Sequence, residues 1–202
     1  MKLLRLSSVF YVFAILSWTS IPVQGAKMLG LKFDDEVTFE GQKLFLNGMG
    51  VRKADVALGL RVDVYVATLY LDALSKDAKA IIASKSPKLV RIGYARSVGK
   101  EKSRETWTAN FEKICKEPTS FCFKEREVFM NQFIPALEDI EEDQFQEFWI
   151  SDKGLRFKSH KKEKLNLQGT ELGRFLLHVW LLNPPNPEVA EGLLKGSALP
   201  SS

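Results

Sequence analysis

The chain has 202 residues, with 29 Lys and Arg set against 25 Asp and Glu, a formal net charge of +4 at pH 7. Lys2 and Arg5 supply two of those charges and no acid accompanies them in residues 1–25, so residues 26–202 carry +2, too weak a field for a nucleic-acid partner. Two histidines, His160 and His178, and two cysteines, none at ligand spacing, exclude a metal site, and no cofactor is expected.

The first segment, MKLLRLSSVFYVFAILSWTSIPVQG, sets two basic residues before an apolar run from Val9 to Trp18 and ends on Val23 and Gly25. This is the layout of a secretory signal cleaved after Gly25. The run is shorter than the roughly 20 residues of a membrane span. Residues 26–202 are therefore expected to form one periplasmic or secreted domain without a stable span.

Two short strands follow, EVTFEG and QKLFLNG, between Glu36 and Leu46 with a turn near Gly41. Asn47-Gly48 reads as a hairpin turn, because both residues tolerate positive φ. Beyond a break at Gly59, Val62 to Leu71 alternates Val62, Val64, Val66, Thr68 and Tyr70 with Tyr65, Ala67, Leu69 and Leu71. A strand apolar on both faces is covered on both sides. It is the expected spine of the fold.

Ser75 is expected to cap a short helix, KDAKAIIAS, and Lys88 to Arg96 returns to strand. Lys100 to Cys115 carries Ser103, Trp107, Phe111 and Ile114 at helical spacing, and a second helix is expected over Lys124 to Ile140. The acids from Glu138 to Asp143 read as a solvated end. Phe145 to Ser151 and Leu155 to His160 form a hairpin around Asp152-Lys153-Gly154. The basic run from Lys158 to Lys164 reads as a polar loop. A helix from Gln168 or Thr170 runs through Leu182, Asn183-Pro184-Pro185 stops it, and a last helix spans Pro187 to Lys195 before a frayed tail, Gly196–Ser202. Six or seven antiparallel strands with helices grouped in the middle and at the end make an α+β fold, a large sheet with helices on one face.

The order of several motifs resembles the chalcone isomerase-like family, in its bacterial exported branch. These are GMGVR, VYVATLYLD, AKAIIAS, KEKSRETWTANF and FLLHVWLLNPPNPEV, spread from about Leu31 to Leu194. The resemblance implies an open-faced β-sandwich enclosing one ligand cleft. It also implies that the motif arginine, Arg52, faces that cleft, stabilising substrate charge in the isomerases or gripping a carboxylate in the fatty-acid-binding members. A guanidinium suits both tasks, because its planar fork stays charged and donates in pairs. From spacing alone, Arg52 reads equally as a surface residue or as one paired with Asp55, and a one-residue slip would exchange it with Lys53.

Other family positions are changed. Tyr65 stands at the threonine of the spine strand, five residues before the signature Tyr70. Lys102 and Ala109 stand at a helical tyrosine and asparagine, with Asn110 one place on, and Val179 stands at a late threonine. Chalcone cyclisation is therefore not expected. The candidate chemical groups are Arg52, Tyr65 and Lys102. The candidate ligand contacts add Tyr70, Trp107, Asn110, Val179 and Trp180.

Cys115 and Cys122 are expected to bond in an oxidising compartment. The leading expectation is a non-enzymatic binder of a small amphipathic carboxylate or phenol, such as a fatty or aromatic acid. The alternatives are an isomerase or intramolecular lyase working through Arg52, and an envelope interaction protein with a closed cleft.

Overall fold

A computed structural model describes residues 25–56 and 59–196. The signal-like segment before Gly25 and the tail after Gly196 lie outside it. The strands are β1 (Ala26–Met28), β2 (Leu31–Phe33), β3 (Glu36–Phe39), β4 (Gln42–Asp55), β5 (Arg61–Leu71), β6 (Lys88–Tyr94), β7 (Phe145–Ser151), β8 (Gly154–Ser159) and β9 (Lys162–Gln168). The helices are α1 (Ala78–Ala83), α2 (Lys100–Cys115), α3 (123–136), α4 (Leu172–Leu181) and α5 (Pro187–Leu193). β1 and β2 pair alone, and β3 to β9 form one antiparallel sheet in sequence order. Helices α1, α2 and α3 are inserted on either side of β6.

The two faces of β5 seed two cores. Ala67, Leu69 and Leu71 join α2, α3 and α4 around Phe111, Phe129, Phe133, Phe175 and Trp180. Val66 and Tyr70 pack with Leu44, Leu46, Leu89 and Trp149 under Phe33 of β2 and Phe39 of β3. The helices thus cover one face and the small strands the other.

β4 differs from the expected pair of strands split at Asn47-Gly48. It runs unbroken for 14 residues, and Asn47 is the extra residue of a bulge between the pairs Leu46↔Tyr70 and Gly48↔Leu69. The glycines serve close approach instead of a turn. A Cβ on Gly48 would lie 2.2 Å from the Gly192 carbonyl oxygen, and one on Gly50 would lie 2.3 Å from that of Val189. So α5 rests on the bare backbone of β4. Two buried asparagines pin its ends. Asn47 Nδ2 donates to the carbonyls of Ser75 (2.8 Å) and Leu193 (2.7 Å), while Asn186 at the start of the helix donates to Val51 O (3.1 Å) and accepts from Lys53 N (3.1 Å).

Smaller differences have local causes. Asp77, not Ser75, caps α1, accepting from Lys79 N and Ala80 N. The second helix contains a π turn at Phe129–Phe133 and ends at Ala136, where Leu137 turns extended and Ile140 bridges to Val98. The basic loop becomes the turn at His160 and Lys161, both at positive φ, followed by edge strand β9. Glu138 belongs to this region instead of a solvated end: it meets Lys164 Nζ at 2.7 Å and His160 Nε2 at 3.3 Å, giving His160 a carboxylate neighbour that the sequence did not reveal. Cys115 and Cys122 are bonded and fully buried. No helix among the described residues is long and apolar enough to cross a membrane.

Candidate functional site

A cavity of about 170 Å³ opens where β4, β5 and β6 meet α2 and α4 on the helix-covered side of the sheet. Its position follows from strand register. Arg52 pairs directly with Tyr65, and Tyr65 with Tyr94, so the three side chains share a face. A second bulge, between the pairs Arg52↔Tyr65 and Lys53↔Asp63, makes Val64 the extra residue of β5. Bulges re-aim side chains next to sites, and here Val64 and Tyr65 both reach the cavity. Arg52, not Lys53, lines it. The parity set at Asn47 turns Gly48, Gly50, Arg52 and Ala54 toward the helices, the first two under α5 and the last two into the cavity.

Helix α2 forms the opposite wall. Its turns bring Lys102, Ser103, Thr106, Trp107 and Asn110 to the cavity, and Val179 and Trp180 of α4 complete it. Seven of the eight predicted ligand contacts therefore meet in one place. Tyr70 does not. It sits on the other face of β5, fully buried, with its hydroxyl donating to Asp34 O at 2.9 Å and its ring under Arg91. Strict alternation from Tyr65 puts Tyr70 across the sheet. Asn110, not exposed Ala109, turns inward from α2.

The electrostatics centre on Arg52. Its guanidinium donates to Asn186 Oδ1 at 3.5 Å, and among the described residues no carboxylate pairs with it. Asp55 is engaged by Arg61 at 3.6 Å instead. A half-buried guanidinium without a counter-ion is unfavourable unless an anion or water completes it. Beside it, burial pushes the Tyr65 hydroxyl up from the ordinary tyrosine value, with the Trp180 indole and the Arg52 charge opposing the rise in part. Tyr65 is thus a neutral donor. Burial also pushes Tyr94 up, and its hydroxyl donates to Gln146 Oε1 at 2.8 Å. Lys102 stands at the rim, exposed and paired with Glu105 at 3.0 Å. Asn186, absent from the expected site, positions Arg52 from the start of α5. Its Asn-Pro sequence is a helix-start signal, but the contact with Arg52 spans 134 residues.

In two larger clefts, of about 430 and 470 Å³, the lysines without a partner among the described residues (Lys85 in the first, Lys32 and Lys161 in the second) are exposed, and the most buried cation is already engaged. In the first, Lys88 Nζ donates to Ser84 O and Ser86 O, both at 2.7 Å. In the second, Arg91 is held by Asp34 at 2.8 Å and Glu147 at 2.9 Å. The 170 Å³ cavity leaves space at the position where the resemblance implies a cleft.

The chain belongs to the chalcone isomerase-like family, whose model matches residues 25–195. It is similar in structure to a fatty-acid binding protein of Arabidopsis thaliana, at 13% identity and a TM-score of 0.67, over 83% of this chain and 93% of that one. No curated protein matches the chain.

Proposed function

We propose that this protein is an exported, non-enzymatic carrier of a small amphipathic acid, held with its carboxylate on Arg52 and its apolar body against Trp107, Val179 and Trp180. The observation that carries the reading is an acid-free guanidinium facing a cavity with apolar walls. Tyr65 adds a neutral donor to the same anion, and Lys102 at the rim adds attraction on approach. The similarity to a fatty-acid binding protein supports this ligand class. An isomerase needs a base or acid that exchanges protons with the substrate. Tyr65, held protonated by burial, is no base, and Lys102 stands exposed at the rim beside Glu105 instead of inside the cavity, so binding is the better use of this geometry. Export is supported by the signal-like segment ending at Gly25 and by the buried disulfide.

The test is native mass spectrometry of residues 26–202 purified without detergent, beside titration with octanoate and with octanol. A bound acid, or binding of octanoate with none of octanol, supports the proposal. Equal binding of acid and alcohol would remove Arg52 from the account, and no binding of either would end it.

A further inference from the structure

One wall of the cavity backs directly onto the core. Trp107 and Trp180 line it and meet edge to face, with ring centroids 5.5 Å apart and planes at 89°. Behind them lies packed aromatic core: Phe133 is 5.7 Å from Trp107, Phe148 is 5.2 Å from Trp180, and both phenylalanines are fully buried. Neither phenylalanine reaches the cavity. The two indoles are therefore the partition between ligand space and core.

The size of that space is informative. At about 170 Å³ it is close to the roughly 150 Å³ of an engineered cavity that takes benzene. It falls below the range of about 300–1,000 Å³ typical of pockets for drug-sized ligands. With the anion fixed at Arg52, a chain reaching past the indoles would have to displace close-packed rings, and interiors of that density do not yield without cost.

We infer that the Trp107–Trp180 pair sets the ligand's length, admitting a single-ring aromatic acid or a short fatty acid and excluding long-chain fatty acids. This rests on the proposal that Arg52 holds the acid. Trp107 is the residue to change, because it is half-buried at the cavity wall, whereas Trp180 is 1% exposed and anchors the core.

The experiment is a titration series of hexanoate, octanoate, dodecanoate and palmitate against the natural chain, Trp107→Ala and Trp107→Leu. In the natural chain, affinity should rise about fourfold per added methylene until the indoles are reached, then fall, with palmitate bound at least tenfold more weakly than octanoate. Trp107→Ala should move the optimum to a longer acid and improve palmitate binding at least tenfold. If that variant does not fold, Trp107→Leu is read by the same shift. Palmitate bound as tightly as octanoate by the natural chain, or an unchanged length profile in a folded variant, would overturn the inference while leaving Arg52 as the anchor. Absence of binding across the series in the natural chain would overturn the Arg52 reading itself.

Discussion

Gly50→Ala tests how the closing helix holds the site. The new Cβ would lie 2.3 Å from Val189 O and 2.7 Å from Val189 Cα, whereas ordinary contact begins near 3.4 Å. Both obstacles are backbone, so no side chain can swing away. Helix α5 must lift by roughly 1 Å or β4 must bend, and overpacking of this kind typically costs about 1–3 kcal/mol. For a domain of this size, a loss of about 2 kcal/mol lowers the melting temperature by roughly 4–8 °C. The lift also carries Asn186 away from Arg52, which it meets at only 3.5 Å. Acid affinity should therefore fall together with stability. Circular dichroism melts and calorimetric titration of the two proteins read both quantities. An unchanged melting temperature would refute the close approach of α5 and β4, and lost stability with unchanged affinity would refute the link to Arg52.

Asn186→Asp places a carboxylate beside Arg52 and should weaken acid binding at least tenfold, seen by titration. Asn186→Ala should lower acid affinity as well, because Arg52 loses the residue that positions it, and should cost about 1–3 kcal/mol of stability, because Lys53 N–H and Val51 C=O lose their partner. Replacing Cys115 and Cys122 together by serine should remove about 2–3 kcal/mol in urea denaturation, with reductant giving the same result on the natural chain. Stability should also depend on alkaline pH in two directions. Burial lowers Lys88 from 10.5 to about 8, so the unfolded chain holds the extra proton between those values and stability rises with pH across that window, by at most about 1.4 kcal/mol per pH unit. Burial raises Tyr70 from 10.0 to about 12, so its contribution is complete below about pH 10 and is lost as pH climbs toward 12. Lys88→Met should abolish the rise and leave the fall, as urea titrations at stepped pH will show.

The parts of the fold that were legible in sequence are those governed by local periodicity. From Tyr65 to Leu71 the alternation of β5 showed which residues share a face, whereas the bulge at Val64, which no periodicity signals, brings Val64 to the cavity beside Tyr65. The stripe Ser103, Trp107 and Phe111 placed α2 against the sheet. Asn47-Gly48 is ambiguous in sequence because the same dipeptide serves a turn or a close approach, and the choice depends on Leu193, 146 residues away. Strand β9 showed no strong pattern because it is an edge strand with one buried residue, Leu167. At the site, the family resemblance selected Arg52, Tyr65, Lys102, Val179 and the Ala109/Asn110 pair. It could not reveal Asn186, whose role comes from the packing of α5. Tyr70 was placed in the site by its motif and removed from it by the parity of its strand.

The central claim is that Arg52 holds the anion of a small acid, and calorimetric titration of octanoate into the natural chain and into Arg52→Gln tests it most directly. Glutamine keeps much of the side chain's bulk and removes its charge. The account predicts saturable binding in the natural chain and at least a tenfold loss in the variant, with the melting temperature of the unliganded protein preserved or raised because a half-buried charge without a counter-ion has gone. Equal affinity in the two proteins would contradict it.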